Sequence, residues 1–245
     1  MNKTYAFTDI HGRYELWKQI KEYCDETDTL YFLGDACDRG DHGLRIIREL
    51  LADKRVIYLK GNHEDFLEDI GGDVIGGYYN HTPLWRMNGG FQTLKDFEDC
   101  PEEKQLWYVR QMMKLPITAE YVNKKGKKIL LSHAGYTPTL EPKKEKDYYW
   151  DREHVWSDWW PEEEEYKNVY IVHGHTPVDN LKYRLRGVCH KYQSKNLYSP
   201  VHYCKGHKID LDLASFETGK AVLFDLDTLT VTKTFYDATI EQECE

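Results

Sequence analysis

The chain has 245 residues, of which 40% are hydrophobic and 31% are charged. This composition is typical of a folded globular protein and excludes a disordered chain. The formal net charge of −9 argues against non-specific binding to nucleic acid or to anionic membrane surfaces, because both attract Lys and Arg. We therefore expect no stable nucleic-acid binding, and any phosphate site needs a local source of positive charge.

Length and cysteine content give further expectations. α/β enzymes of this length commonly form one domain, so we expect a single domain over residues 1–245, with a charged and aromatic solvated insertion around 141–167. No signal-peptide core precedes Asp9, and no other segment resembles a membrane span, so a cytoplasmic location without membrane contact is expected. The six cysteines show no CxxC pair, which favours reduced thiols.

Short apolar segments repeatedly end in polar motifs along the chain. Five such segments predict strands, at residues 3–8, 29–33, 55–60, 128–131 and 169–172. Helical periodicity at 14–23 and 44–51 separates the first three. Strand and helix alternation predicts a parallel or mixed sheet, and the carboxyl ends of its strands should bring the polar motifs together.

The C-terminal part has a different pattern. Segments 208–213, 221–224 and 228–235 predict consecutive strands, separated by Gly219 and by a turn at 225–227. We expect these strands to form a second, more antiparallel sheet that packs on the first. The fold class predicted is therefore an α/β/β/α sandwich.

The motifs at the strand ends carry residue types that bind metals. Asp9 and His11 are two residues apart, so in an extended segment both side chains leave the same face. Asp35 and Asp38 share a glycine-flanked turn with Arg39. Each motif alone also has a simpler explanation, as a helix cap, a surface turn or a buried histidine.

Together, five motifs in this order resemble the calcineurin-like metallophosphoesterases. They are DIH at 9–11, GDACDRG at 34–40, GNHE at 61–64, SHAG at 132–135 and HGHTP at 173–177. The intact DRG turn and the GNHE block are similar to PPP-type serine/threonine phosphatases, including bacterial and phage members, and to symmetrical diadenosine tetraphosphatases. The resemblance implies a four-layer α/β/β/α sandwich of two mixed sheets flanked by helices, and hydrolysis of phosphate esters.

The resemblance also implies two metal ions. One is expected to bind Asp9, His11 and Asp35, and the second to share Asp35 and bind Asn62, His133 and His175. Imidazole and oxygen donors without thiolate suit Mn, which we expect, and also Fe, Zn or Ni. The charges of two divalent ions and two carboxylates sum to about +2. Two such ions about 4 Å apart would lower the pKa of a water that bridges them to roughly neutral, and this water is the expected nucleophile.

Four further residues have implied catalytic roles. His63 is expected to protonate the leaving group, with Asp38 orienting its ring. Arg39 is expected to bind phosphate oxygens through its planar guanidinium. Trp150-Asp151-Arg152 resembles the W-x-R block of bacterial members, which makes Arg152 a candidate for a second phosphate contact; the alternative is a solvated arginine in a charged loop.

Other segments carry weaker expectations. WRMNGG at 85–90 resembles a helical block of the bacterial enzymes and is expected to be structural, and 71–77 is expected to be a mobile loop. A group of Cys and His residues matches no standard zinc spacing and is expected to be a loop with reduced thiols: Cys189, His190, His202, Cys204 and His207.

Three functions remain open on the sequence alone. The first is a protein phosphatase acting on phosphoserine or phosphothreonine. The second is a hydrolase of a dinucleoside polyphosphate such as diadenosine tetraphosphate, whose base could stack on one of four tryptophans, Trp150, Trp156, Trp159 or Trp160. The third is a non-catalytic metal-binding adaptor, which has no need of His63, Asp38 or Arg39. The expected partner is thus a phosphoprotein or a small phosphate ester, and the sequence does not indicate an oligomeric state.

Overall fold

The computed structural model describes residues 2–140, 144–185 and 198–240. The N-terminal part alternates strand and helix: β1 (Thr4–Phe7), α1 (Tyr14–Tyr23), β2 (Thr29–Phe32), α2 (Gly43–Ala52) and β3 (Val56–Tyr58). β2 pairs in parallel with β1 on one side and with β3 on the other. The predicted strand and helix order of this part is therefore confirmed.

A helical region follows β3. It comprises α3 (Asn62–Ile75), α4 (Thr82–Trp85), a π-helical turn (Arg86–Gly90), α5 (Phe91–Glu98) and α6 (Glu102–Met112). The expectation of a loop at 71–77 is wrong for 71–75, which complete α3. Gly71 lies where a Cβ would be only 3.3 Å from the Phe97 ring, so it permits close packing of α3 on α5. Gly77, with a φ of +80°, follows the helix end.

The second sheet comes from the middle of the chain. Its strands are β4 (Thr118–Val122), β5 (Lys128–Ser132), β6 (Val169–His173), β7 (Val201–Tyr203) and β8 (Lys208–Asp210), in the spatial order β4-β5-β6-β8-β7. β5, β6 and β8 run parallel, and the two edge strands are antiparallel. Short helices α7 (Asp147–Trp150), α8 (Val178–Leu185) and α9 (Ser215–Thr218) connect these strands and the ones that follow.

The C-terminal strands correct one expectation. β9 (Lys220–Asp225) and β10 (Thr230–Tyr236) form a hairpin, but β9 pairs with β1, giving the order β10-β9-β1-β2-β3. The hairpin therefore extends the first sheet, and the 208–213 segment alone contributes to the second. An alternating pattern predicts a strand but does not identify its neighbour, because pairing partners are distant in sequence.

Successive side chains of a strand in the first sheet point to opposite faces, so the sheet packs on helices on one face and on the second sheet on the other. Tyr5 and Phe7 of β1 belong to the buried cluster that includes apolar side chains of α1, α2, α3, α5 and α6, whereas Ala6 belongs to the cluster that includes those of the second sheet. Val178, Leu181 and Leu185 of α8 cover the second sheet. The molecule thus has two mixed sheets flanked by helices, as predicted.

Residues 144–167 are only partly solvated. Glu162 to Glu165 are exposed, as expected, but Tyr149, Val155 and Trp160 are buried, so the expectation of a solvated insertion is wrong for these apolar residues. Trp160 stacks on His207 with 4.8 Å between ring centroids. Among the helices of the described ranges, none has the length and apolar character that crossing a membrane requires.

Candidate metal centre

Asp35 lies at the centre of the predicted ligand set. Its Oδ2 is 3.3 Å from His133 Nε2 and 3.7 Å from His11 Nε2. His11 Nε2 is in turn 3.9 Å from Asp9 Oδ1. All four side chains are almost fully buried. The first sheet contributes Asp9, His11 and Asp35 from loops after β1 and β2, and the second sheet contributes His133 from the end of β5.

Asn62 and His175 are the two remaining predicted ligands, and Asn62 lies beside two histidines. Asn62 Oδ1 lies 3.0 Å from His133 Nε2 and 2.8 Å from His175 Nδ1. Asn62 is the first residue of α3, and His175 follows β6. Two groups of side chains have their donor atoms within 4.8 Å of one another and share Asp35, namely His11, Asp35 and His63, and Asp35, His133 and His175. The structure therefore brings all six predicted ligands into one buried cluster.

The other nitrogen of each predicted ligand imidazole donates to a backbone carbonyl. His11 Nδ1 is 3.1 Å from the Cys37 carbonyl oxygen, and His133 Nδ1 is 2.8 Å from that of Leu33. His175 Nε2 is 3.1 Å from the Trp150 carbonyl oxygen. Because a carbonyl only accepts, each bond places a proton on that nitrogen, so the nitrogen that faces the cluster is the one available to bind a cation. The donor set therefore fits divalent cations.

The backbone at the centre has an unusual conformation. Asp9 and His11 have φ values of +49° and +41°, in the left-handed region, so they do not lie in the extended segment that we expected. Asp35, Asp38, Arg39 and His175 also have φ between +63° and +68°. Such conformations cost roughly 1–2 kcal/mol per residue that has a Cβ. They cluster here because sharp turns, not strands, aim these side chains inward.

Glu64 holds the loops of the centre together. Its carboxylate accepts hydrogen bonds of 2.8 Å from the backbone N–H groups of Asp35, Ala36 and Gly61, and from the Tyr58 hydroxyl. The bond from the Gly61 N–H is the glutamate half of a capping box at the start of α3, since glycine has no side chain to complete it. Glu64 was assigned no role of its own from the sequence; its position three residues after a glycine N-cap was the available signal.

His63 and Asp38 form a buried pair beside Asp35. His63 Nδ1 is 2.6 Å from Asp38 Oδ2, and His63 Nε2 is 3.8 Å from Asp35 Oδ2. Trp85 Nε1 donates to the same Asp38 oxygen at 2.8 Å. Trp85 belongs to the WRMNGG block, so the structural role expected for that block includes a direct contact with a predicted catalytic residue.

Two arginines lie at the rim of the cluster. Arg39 places Nη1 2.9 Å from His11 Nε2 and Nη2 3.3 Å from His63 Nε2. Arg152 Nη2 donates to the His175 carbonyl oxygen at 3.2 Å. Arg152 therefore lies at the predicted centre, whereas the alternative placed it in a solvated loop.

The electrostatics of the cluster follow from burial and close packing. Burial raises the pKa of Asp9 to about 6. Burial also opposes the charged forms of Asp35 and His133, but the attraction between their opposite charges outweighs the effect of burial. This attraction holds the pKa of Asp35 well below its usual range and raises the pKa of His133 to about 9. Burial, followed by the positive charges of His133 and Arg152, lowers the pKa of His175 far below its usual value. Asp35 is thus stabilised as an anion by positive charge beside it.

The other candidate residues lie elsewhere. Cys37 is buried with Sγ 3.6 Å from the His63 carbonyl oxygen, and burial raises its pKa. Cys204 Sγ donates to the Ser157 carbonyl oxygen at 3.3 Å, and the His202 ring is 5.9 Å from that of Phe224. Cys189 and His190 lie outside the described residues.

Comparisons with known proteins identify relatives of this chain. The chain is 29% identical over 210 residues to the symmetrical bis(5'-nucleosyl)-tetraphosphatase of Salmonella arizonae. The matched region covers 82% of this chain but only 65% of that protein. Less than two thirds of the relative's length is therefore matched. The chain is also similar to a metallophosphoesterase structure from Sphaerobacter thermophilus, with a TM-score of 0.56 and 13% identity. The superposed region covers 99% of this chain and 91% of that one.

A third comparison concerns the fold alone. A cold-active protein-tyrosine phosphatase of a Shewanella species has a TM-score of 0.52 and 16% identity, covering 93% of this chain and 76% of that one. The sequence profile described as calcineurin-like phosphoesterase matches residues 3–214. The chain therefore belongs to the calcineurin-like phosphoesterase family.

Proposed function

We propose that the chain hydrolyses a phosphoric ester or anhydride at two divalent cations held by the buried cluster. Asp9, His11 and Asp35 would hold one, and Asp35, Asn62, His133 and His175 the other. The observation that carries the proposal is the sharing of Asp35 between two groups of donors, with the opposite ring nitrogens tied to carbonyls. Manganese remains the expected metal, with Fe, Zn or Ni as alternatives.

The residues beside the cations have separate tasks. Bound divalent cations supply Lewis-acid polarisation of phosphoryl oxygens and a lowered pKa for water. His63 donates a proton from Nε2 to the departing oxygen, while Asp38 at 2.6 Å holds Nδ1 and stabilises the protonated ring. Arg39 and Arg152 bind nonbridging phosphate oxygens as charge accumulates there.

For the substrate we propose a dinucleoside polyphosphate. The 29% identical relative is named for that activity, and its match covers 82% of this chain. Hydrolysis then forms a bond between phosphorus and a water oxygen and breaks the bond to a nucleotide oxygen, which takes the proton from His63.

A phosphoserine or phosphothreonine protein is the second candidate, which the sequence analysis placed first. Met87 and Phe91 are exposed to 85% and 63%, and Gly89 between them accepts a hydrogen bond from the Arg39 N–H. Exposed apolar side chains so near a phosphate-binding arginine could contact a protein surface.

A metal-content and activity assay of His63→Asn tests the proposed roles. Mn-loaded protein should release phosphate or nucleotide from diadenosine tetraphosphate or a phosphopeptide. His63→Asn should lower kcat by roughly 10²- to 10⁴-fold while two metals remain bound, because proton donation alone is lost.

His81→Asn, which changes an exposed imidazole paired with Asp73, is the matched control. If His63→Asn instead lost one metal, His63 would be a ligand in the place assigned to Asp9. If the Mn-loaded wild type cleaved no phosphate ester, the enzymatic proposal would be wrong.

A further inference from the structure

A second concave site opens beside the metal cluster. It has a volume of about 300 Å³, and its lining includes Arg152, Trp156, Thr176, Asn180, Tyr183 and Arg184. This volume is at the lower end of that of small-molecule pockets, roughly 300–1,000 Å³. We call it the Trp156 pocket. The proposed mechanism uses only Arg152 of these residues.

The Trp156 pocket adjoins the metal cluster through Arg152 and Thr176. Arg152 lines it and donates to the carbonyl oxygen of His175, a predicted metal ligand. Thr176 is the next residue in the chain and also lines it. A substrate whose phosphate reaches Arg152 can therefore extend its remaining part into this pocket.

The lining combines aromatic rings with positive charge. The Arg184 guanidinium lies 4.3 Å from the centroid of the Trp156 ring, and Tyr183 is 75% exposed. Within 2–140, 144–185 and 198–240, no carboxylate forms a salt bridge with Arg152 or Arg184, and no acidic residue is among the lining residues. In a chain of net charge −9 this is a local reversal of sign, which suits an anion that carries a flat ring.

A buried hydroxyl gives an independent indication of a ligand. Thr176 is 1% exposed, and its Oγ1 has no hydrogen-bond partner among the described residues. A buried hydroxyl without a partner is unfavourable, so such groups in native proteins generally bond to a ligand or to water. Asn180, which also lines the pocket, adds an amide that can both donate and accept.

We propose that the Trp156 pocket binds the nucleoside of the substrate, with the base on Trp156 and Tyr183 and with Arg184 near the adjoining phosphate. Thr176 and Asn180 then supply polar contacts to the base or the sugar. This inference rests on the proposed function, which it deepens by assigning the part of the molecule that distinguishes a nucleotide substrate from a phosphopeptide.

Kinetics with three substrates test this assignment on the Mn-loaded protein. The substrates are diadenosine tetraphosphate, inorganic tetraphosphate, which has the anion without a base, and a phosphoserine peptide without aromatic residues. Trp156→Leu should raise KM for diadenosine tetraphosphate roughly tenfold or more, because base stacking is lost, and leave KM for the other two within twofold. Arg184→Gln should raise KM for both tetraphosphates and leave the peptide unchanged.

Matched controls are Trp159→Leu, an exposed tryptophan that does not line the pocket, and Arg48→Gln, on the exposed face of α2. Both should behave like the wild type. Unchanged KM for diadenosine tetraphosphate in Trp156→Leu and Arg184→Gln would overturn the inference while leaving the phosphoesterase intact. A rise in KM for the peptide alone would assign the pocket to a phosphopeptide and would also overturn it.

Equilibrium binding tests the pocket even if no ester is cleaved. By calorimetry, the Mn-loaded wild type should bind AMP at least tenfold more tightly than inorganic phosphate, and Trp156→Leu should remove most of this difference. Equal affinity of the wild type for AMP and phosphate would refute a nucleoside site. The absence of ester cleavage would therefore contradict the proposed function, whereas equal affinity for AMP and phosphate would contradict the nucleoside site.

Discussion

The pair of His63 and Asp38 depends on a third residue. Asp38 Oδ2 accepts from both His63 Nδ1 and Trp85 Nε1, whereas Asp38 Oδ1 is buried and has no partner among the described residues. The tryptophan N–H therefore fixes the rotation of the carboxylate that faces the imidazole. We therefore expect Trp85 to act as a positioning residue for the proposed proton donor.

Trp85→Phe should retain the buried ring and remove only the N–H. Because a hydrogen bond to a charged group contributes about 1.5–3 kcal/mol, we expect kcat to fall roughly tenfold or more, with KM and metal content little changed. Steady-state kinetics with Mn measure the effect, and Trp107→Phe on the partly exposed face of α6 is the control. An unchanged kcat would show that Asp38 keeps its orientation without Trp85.

The residues of the centre differ in how far the sequence reveals them. Asp9, His11, Asp35, Asn62 and His175 were identifiable because each follows a predicted strand in a motif that resembles a known family. Trp85 and Glu64 were not assigned these roles. Their contacts span 47 residues, to Asp38, and 29 residues, to Asp35, and a single sequence does not display such pairings.

At the scale of elements, Glu64 connects α3 to the loop after β2. Its carboxylate satisfies N–H groups from two separate loops, which otherwise would be buried without partners. Gly34 makes the approach of these loops possible: its φ is +103°, and a Cβ there would lie 2.6 Å from Gly61 Cα.

Glu64→Gln should destabilise the protein by roughly 2 kcal/mol, because an amide has one acceptor oxygen and its NH₂ group faces a backbone donor. Urea denaturation of the metal-free protein measures the loss, and Glu98→Gln on the exposed face of α5 should change stability by less than about 0.5 kcal/mol. A stability equal to the wild type would mean that these loops do not need the carboxylate.

The elements themselves were predictable where local pattern suffices. The helix at Tyr14–Tyr23 was predicted with its observed limits, because Leu16 and Ile20 lie on one buried face. The sheet that contains β9 was not predictable, since Ala6 of β1 pairs with Phe224, far along the chain. Local periodicity establishes that a segment is a strand, whereas assembly decides where it pairs.

At the scale of the whole molecule, the metal cluster joins the two sheets. Asp9, Asp35 and Asn62 follow strands of the first sheet, and His133 and His175 follow strands of the second. Cations bound by all of them would therefore link the two halves of the sandwich as well as support catalysis.

Removal of metal should lower the thermal stability of the protein. A ligand present at about 1,000 times its Kd stabilises the native state by about 4 kcal/mol, which corresponds to a fall in Tm of roughly 10 °C when a chelator removes it. Calorimetry of the Mn-loaded and EDTA-dialysed forms measures this fall, and activity should vanish with it. Asp35→Asn should show a much smaller response to EDTA, and equal Tm values for the two wild-type forms would contradict the linkage.

The left-handed turns at the centre also limit how this chemistry could be transferred to another protein. Asp9, His11, Asp35 and His175 reach the cluster from φ values between +41° and +68°. Grafting the same side chains onto ordinary strands of a different scaffold would reproduce their identities but point them in other directions. A designer would have to copy the main-chain path through each turn first, and the functional groups only afterwards.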